Sequence, residues 1–299
     1  MINALTIDVE DYYNVFARDR LGLSGVPTDA VVRNVYLMLE LLAGRNIEAT
    51  FFVLGEVAVQ FPKIIKDISS AGHELGVHGY HHDQVFRLSR DEFSQQAHRT
   101  KQVLQDLTGS EVNGYRAPAF SICPDTKWAL EVLAELGFAY DSSIFPIAGS
   151  RYGWPGFRRD IHRMALPGGM HIVEAPASSV DLLGRSMPAC GGGYLRHFPY
   201  WFTRWSMRRI ERRRPVVVYA HPYELDTDSP PTEFTAALAR ADRRTKRFHK
   251  LQLRKRQTVR AKLDNLLGEF RFMPLGRVIA GQLEDGCMDP QGGNGECRC

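Results

Sequence analysis

The chain has 299 residues, 44% of them hydrophobic and 24% charged, with a formal net charge of +4. That length and balance suit one large α/β domain or two smaller ones and exclude wholesale disorder. No apolar run approaches the ~20 residues that span a bilayer, and residues 1–8 lack the basic lead-in of a signal peptide, so a cytoplasmic location is expected.

Strand-like apolar runs alternate with helix-period stretches. A strand over 4–9 is followed by a helix over about 29–43, closed by Gly44. A buried strand over 48–54 leads to a helix that ends at Gly72, and a short strand over 74–79 follows. The capping box Ser89-Arg90-Asp91-Glu92 opens a helix that Gly109 closes. Residues 114–118 come next, then a helix over 124–136, Gly137 and a strand over 138–141. Gly44, Gly72, Gly109 and Gly137 lie 28, 37 and 28 residues apart, the spacing of successive βα units. Such units build a parallel sheet, open or closed into a barrel, with chemistry at the C-terminal strand ends.

Residues 149–200, rich in Gly, Pro and aromatics, read as long loops around a strand at 171–175. Another buried strand covers 215–220, and from about 232 the chain turns helical. There Phe248, Leu251, Val259, Leu263, Leu266, Leu267 and Phe270 can form one apolar face beneath a basic one. The expected organisation is a barrel over 1–230, a basic helical extension over 231–280 packed on it, and a Gly/Cys tail without fixed structure over 281–299.

Charge is concentrated in two places. Residues 240–262 hold eleven Lys/Arg against Asp242 alone, and 204–214 hold six arginines against Glu211. These runs are either solvated helix faces or a surface that meets anionic lipid headgroups or an acidic polymer. No nucleic-acid-binding motif accompanies them. The five cysteines (Cys123, Cys190, Cys287, Cys297 and Cys299) lack a partner set for a metal and read as free thiols of a reducing compartment.

Four polar clusters fall at expected strand ends. Asp8-Val9-Glu10-Asp11 places three carboxylates after a buried strand, costly to desolvate without a positive partner. His78 and His82 are four apart, so a helical turn would put both imidazoles on one side. Two histidines and a carboxylate make an open Zn²⁺-type set. Arg116, in Tyr115-Arg116-Ala117-Pro118, can hold a carboxylate ionised by a bidentate contact. His221, after 216–220, is a candidate proton donor.

Together these motifs resemble the polysaccharide deacetylases, the NodB-homology group of carbohydrate esterase family four. His78 and His82 are similar to that family's H-x-x-x-H metal motif, Leu5-Thr6-Ile7-Asp8 to its first strand motif, Arg116-Ala117-Pro118 to its Arg-X-Pro, and His221 to its last strand-terminal His. The opening Asp8–Asp11, Gly114–Pro118, and His221-Pro222-Tyr223-Glu224 look closer still to the subgroup linked to exosortase-associated exopolysaccharide loci. The resemblance implies a distorted (β/α) barrel that removes acetyl groups from N-acetylated sugars of an exopolysaccharide or its lipid-linked precursor. It also implies a divalent metal, Zn²⁺ first, with Co²⁺ or Ni²⁺ as alternatives.

The family ends its first strand in adjacent carboxylates, base then ligand, whereas this chain has Asp8-Val9-Glu10-Asp11. On that pattern Asp8 is the base, His78 and His82 are ligands, and the carboxylate ligand stays open between Glu10 and Asp11. Arg116 fixes the charge of Asp8, His221 protonates the departing amine, and Asp141 is a weaker candidate for orienting His221. His73 and His81 read as structural or rim residues. A small-amide hydrolase and a non-catalytic polysaccharide binder are the competing readings.

Overall fold

Alternation along the first strand, β1 (Asn3–Val9), sets the frame of the molecule. Leu5, Ile7 and Val9 join the main apolar core outside the sheet, while Thr6 and Asp8 face inward, as strand periodicity requires. The computed structural model describes residues 1–23, 25–149 and 153–284, so Cys287, Cys297 and Cys299 lie outside the described residues.

Six further strands run parallel with β1 or extend its sheet: β2 (Thr50–Val53), β3 (Glu74–Val77), β4 (Gly114–Tyr115), β5 (Tyr140–Asp141), β6 (His162–Ala165) and β7 (His171–Glu174). A hairpin of β8 (Ser179–Leu182) and β9 (Arg185–Pro188) stands apart, and β10 (Val217–Ala220) and β11 (Phe272–Met273) return to β1. The order is β10-β1-β2-β3-β4-β5-β7-β6, parallel except for β6 on β7, with β11 beside the start of β1. The sheet curls into a distorted half-barrel.

Helices α1 (Tyr12–Leu21), α2 (Asp29–Ala43), α3 (Gly55–Gln60), α4 (Pro62–Ser70), α5 (Arg90–Thr108) and α6 (Trp128–Glu135) follow the early strands. Val31, Val35, Met38 and Leu42 of α2 pack on Leu5, Ile7 and Val9, and Ile64 and Ile68 of α4 on the same core. The expected capping box at Ser89 and Glu92 is present. Beyond them come α7 (Gly192–His197), α8 (Tyr200–Glu211), α9 (Thr232–Arg240), α10 (Arg243–Leu253), α11 (Val259–Glu269) and α12 (Leu275–Glu284).

Several expectations need correction. The helix expected to reach Gly72 is two helices, because Pro62 cannot continue α3 and instead starts α4. The described residues of 149–200 include the expected strand as β7, but it pairs with β6, and a second hairpin (β8 and β9) and α7 stand where loops were expected. The C-terminal apolar residues do not share one face. Lys255 takes a left-handed turn (φ 64°), so α11 enters the main core with Val259, Leu263, Leu266 and Leu267. Phe248 of α10 joins an aromatic cluster with Tyr12, Phe16 and Phe234, and Leu251 stays exposed. Leu275, Val278 and Ile279 of α12 close the inner cluster of Ala4, Phe52 and Val217, and the Leu275 amide donates to Thr50. The extension is thus part of the same core as the sheet.

Phe52 packs inward only because its neighbour across the β2–β3 pairing is Gly76. A methyl group there would stand 2.5 Å from the Phe52 ring. Gly76→Ala is therefore expected to cost about 1–3 kcal/mol of stability, read as a lowered Tm; an unchanged Tm would refute the close approach.

Candidate active site

Arg116, the residue after β4, is the largest fully buried side chain among the described residues. Its Nη1 donates to Asp8 Oδ1 at 2.9 Å and to Thr6 Oγ1 at 2.6 Å. Its Nε donates to the Ser142 carbonyl at 3.1 Å and its Nη2 to Ser142 Oγ at 2.9 Å, with the Phe52 ring 4.4 Å from the guanidinium carbon. The contact to Asp8 is single and not bidentate, because Thr6 and Ser142 take the remaining donors.

Two residues after Asp8, just past the end of β1, stands Glu10. Its Oε2 lies 2.8 Å from His82 Nε2. Donor atoms of Glu10, His78 and His82 all fall within 4.8 Å of one another, the one such group found among the described residues. His78 follows β3, and its Nδ1 pairs with the Arg116 carbonyl at 2.8 Å, which turns Nε2 toward the cluster. The two histidines are brought together by a loop, not by a helical turn: Gly79 and His82 both have positive φ. Burial works against ionisation of Glu10, but His82, His221 and His78 outweigh it and hold its carboxyl at about 2. Burial pushes His78 down to about 4.

Asp11 points elsewhere. Its carboxylate accepts from the Tyr13 and Thr28 amides and caps α1, so it does not join Glu10 at the cluster. The helix it starts is an element the sequence reading did not include, although Tyr12, Tyr13, Phe16 and Ala17 share one helical face and pack together. An Asp before an unrecognised helix was the available signal.

His221 stands just past β10, with Nε2 3.9 Å from Asp8 Oδ2 and 4.0 Å from Glu10 Oε1. Its Nδ1 meets Glu224 Oε2 at 3.2 Å, and its backbone amide donates to the same oxygen at 3.0 Å. Burial opposes its charge, but Glu224, Glu10 and Asp8 together raise its pKa to about 9. Glu224, not Asp141, is therefore the group that orients His221. The Asp141 carboxylate is taken by the Ser143 hydroxyl and amide and by Glu174 across the β5–β7 pairing. His81 pairs with Glu56 at 2.8 Å on the rim, and His73 accepts from the Ala49 amide.

Asp8, Glu10, His78, His82 and His221 share a cleft of about 420 Å³ with Phe120, Tyr194, Tyr219 and Tyr223, and with Leu251 and Gln252 of α10. Two carboxylates, three imidazoles and aromatic walls thus meet at the C-terminal ends of parallel strands.

The family model described as "Polysaccharide deacetylase" matches residues 28–140, and "Domain of unknown function (DUF3473)" matches 142–280. Over residues 28–140 the chain is thus similar to the polysaccharide deacetylases. A peptidoglycan-N-acetylglucosamine deacetylase of Bacillus cereus is 38% identical over 95 residues, covering 31% of this chain and 34% of that protein. A peptidoglycan deacetylase of Helicobacter pylori is 32% identical over 107 residues, 36% of each. The chain thus spans about a third of the length of these relatives. A polysaccharide deacetylase-type structure from Mycobacterium smegmatis superposes with a TM-score of 0.60 at 20% identity, over 98% of this chain and 93% of that one, and shares the fold.

Removing Arg116 leaves a buried Asp8 without its countercharge. Arg116→Met is expected to cost about 3–5 kcal/mol, and Asp11→Ala about 1 kcal/mol through the lost cap, both measured by urea denaturation. Equal costs for the two variants would contradict the central place of the Arg116–Asp8 pair.

Proposed function

We propose that the chain is a metal-dependent N-deacetylase that hydrolyses the acetamido group of N-acetylated sugars. The observation that carries this reading is the convergence of Glu10, His78 and His82 beside an Asp8 already held by Arg116. Two imidazole nitrogens and one carboxylate, open to the cleft, form a donor set suited to Zn²⁺, with Co²⁺ or Ni²⁺ also compatible. A divalent cation bound there would supply a Lewis acid for the acetyl carbonyl and for activating water.

The remaining steps belong to the protein. Asp8, with Oδ1 fixed by Arg116, offers its other oxygen to take a proton from the attacking water. His221 presents Nε2 to the same space and gives a proton to the departing amine nitrogen. Water adds to the carbonyl carbon, the C–N bond breaks, and acetate and a free amine result. Phe120, Tyr194, Tyr219 and Tyr223 give the cleft aromatic surfaces of the kind on which sugar rings rest, which favours a glycan over a small amide.

The finer reading is an exopolysaccharide, or its lipid-linked precursor, as the substrate, with the enzyme at the cytoplasmic face of an anionic membrane. The exosortase-linked motif resemblance supports the substrate. The exposed Trp201 and Trp205 beside Arg208, Arg209 and Arg212, and the exposed Arg243, Arg244, Arg247 and Lys250, support the location.

Acetate release from N-acetylglucosamine oligomers, peptidoglycan fragments and a lipid-linked acetylated oligosaccharide is the test of function. Asp8→Asn is expected to lower kcat by about 10²–10⁴, and His78→Ala with His82→Ala to leave protein without bound Zn²⁺ by elemental analysis. Small-amide turnover with no acetate from any glycan would overturn the sugar reading. For the membrane, Arg243→Glu with Arg247→Glu is expected to weaken sedimentation with phosphatidylglycerol vesicles; unchanged sedimentation would discard that contact.

A further inference from the structure

We infer that Arg196 is a positioning residue for His221, acting through Glu224. For its kinetic consequence the inference rests on the deacetylase reading; its geometry does not.

Arg196 lies on α7, in the half of the chain matched only by a domain of unknown function. Its side chain is 2% exposed, yet it lines the same cleft as Asp8 and His221. Nη1 stands 3.3 Å from Glu224 Oε1, and Nη2 donates to Gln252 Oε1 at 3.5 Å. The two Glu224 oxygens are therefore divided, Oε1 toward Arg196 and Oε2 toward His221. Three features hold α7 in place for this. Gly191 lets the chain pass β10 so closely that a methyl group there would meet the Tyr219 carbonyl at 2.3 Å. Lys262 of α11 donates to the carbonyls of Leu195, Arg196 and Phe198 at the end of α7. Gln252 approaches from α10.

A carboxylate as buried as Glu224 is not sustained as an anion without a countercharge. Arg196 supplies that charge and leaves Oε2 as an acceptor for the His221 Nδ1 hydrogen. The tautomer or cation with hydrogen on Nδ1 is then fixed, and Nε2 is aimed at the cleft. Without Arg196, Glu224 can become neutral and rotate, and His221 loses the acceptor that sets its orientation. The second half of the chain would in this way supply both the proton donor and the pair that aims it.

The test compares Arg196→Met, Arg196→Lys, Glu224→Gln and the double variant Arg196→Met/Glu224→Gln. One readout is the ¹⁵N shift pair of the His221 ring in protein without added metal, assigned by its loss in His221→Gln. The other is kcat and KM for acetate release with Zn²⁺. Arg196→Met is expected to change the His221 shift pair and to lower kcat about 10- to 100-fold while KM moves little. Arg196→Lys should recover much of both, and the double variant should be no slower than the worse single one. Unchanged His221 shifts in folded Arg196→Met, or independent losses that multiply in the double variant, would overturn the inference. Should Arg196→Met fail to fold by circular dichroism, the shifts in Arg196→Lys and Glu224→Gln decide it. A wild-type protein that releases no acetate defeats the deacetylase reading, whereas the ring shifts still judge Arg196.

Discussion

A guanidinium wholly removed from water must have every donor answered, and at Arg116 that demand organises the centre of the barrel. Its partners come from β1 through Thr6 and Asp8, from the segment after β5 through Ser142, and from β2 through the face of Phe52. Ser142 in turn donates to the Ala175 carbonyl beyond β7, and Ser143 accepts from the Ala117 amide. Desolvating the charge is affordable only because these contacts are simultaneous. Burial also pushes Asp141 up and Glu174 well above the carboxylate range. That pair is joined across the β5–β7 pairing, and Arg116 meets Asp8.

The same economy governs the basic C-terminal run. Lys246, Lys255, Arg256 and Lys262 all donate to backbone carbonyls, on α9, at the end of α7 and at Tyr223, and Arg260 pairs with Glu40. Four of the eleven cationic residues, Lys255, Arg256, Arg260 and Lys262, therefore fasten the extension to the rest of the fold. The exposed remainder, most of it on α10, is the part left to meet anything outside.

Much of the barrel was legible because each βα unit is bounded by helix-ending glycines and carries its own apolar period. His78, Arg116 and His221 were legible for a related reason: each sits just past a buried strand, where strand ends expose chemistry, and Asp8 is the last but one residue of β1. Period-two reasoning put Asp8 and Glu10 on one face, and the structure has them there, with Asp11 turned to cap α1. What escaped was long-range or masked by local ambiguity. Glu224 lies three residues after His221, visible as a spacing but not as a contact. Arg196 shares no pattern with the motifs, because its pairing depends on how α7 folds back over β10. Asp141 looked like a partner for His221 from its strand-end position alone, yet the β5–β7 pairing sets Glu174 opposite it.

The placement of β1 carries a consequence for biosynthesis. The strand that bears Asp8 is made first, but one of its flanking strands, β10, begins more than two hundred residues later, and Val216 and Asn3 are tied by a hydrogen bond across 213 positions. At ribosomal speeds of about 5–20 residues per second, β1 waits on the order of 10–40 s for that neighbour. Throughout that interval one edge of a buried, hydrophobic strand is unpaired, so the segment whose chemistry is completed last is also the one most in need of shelter while the chain emerges.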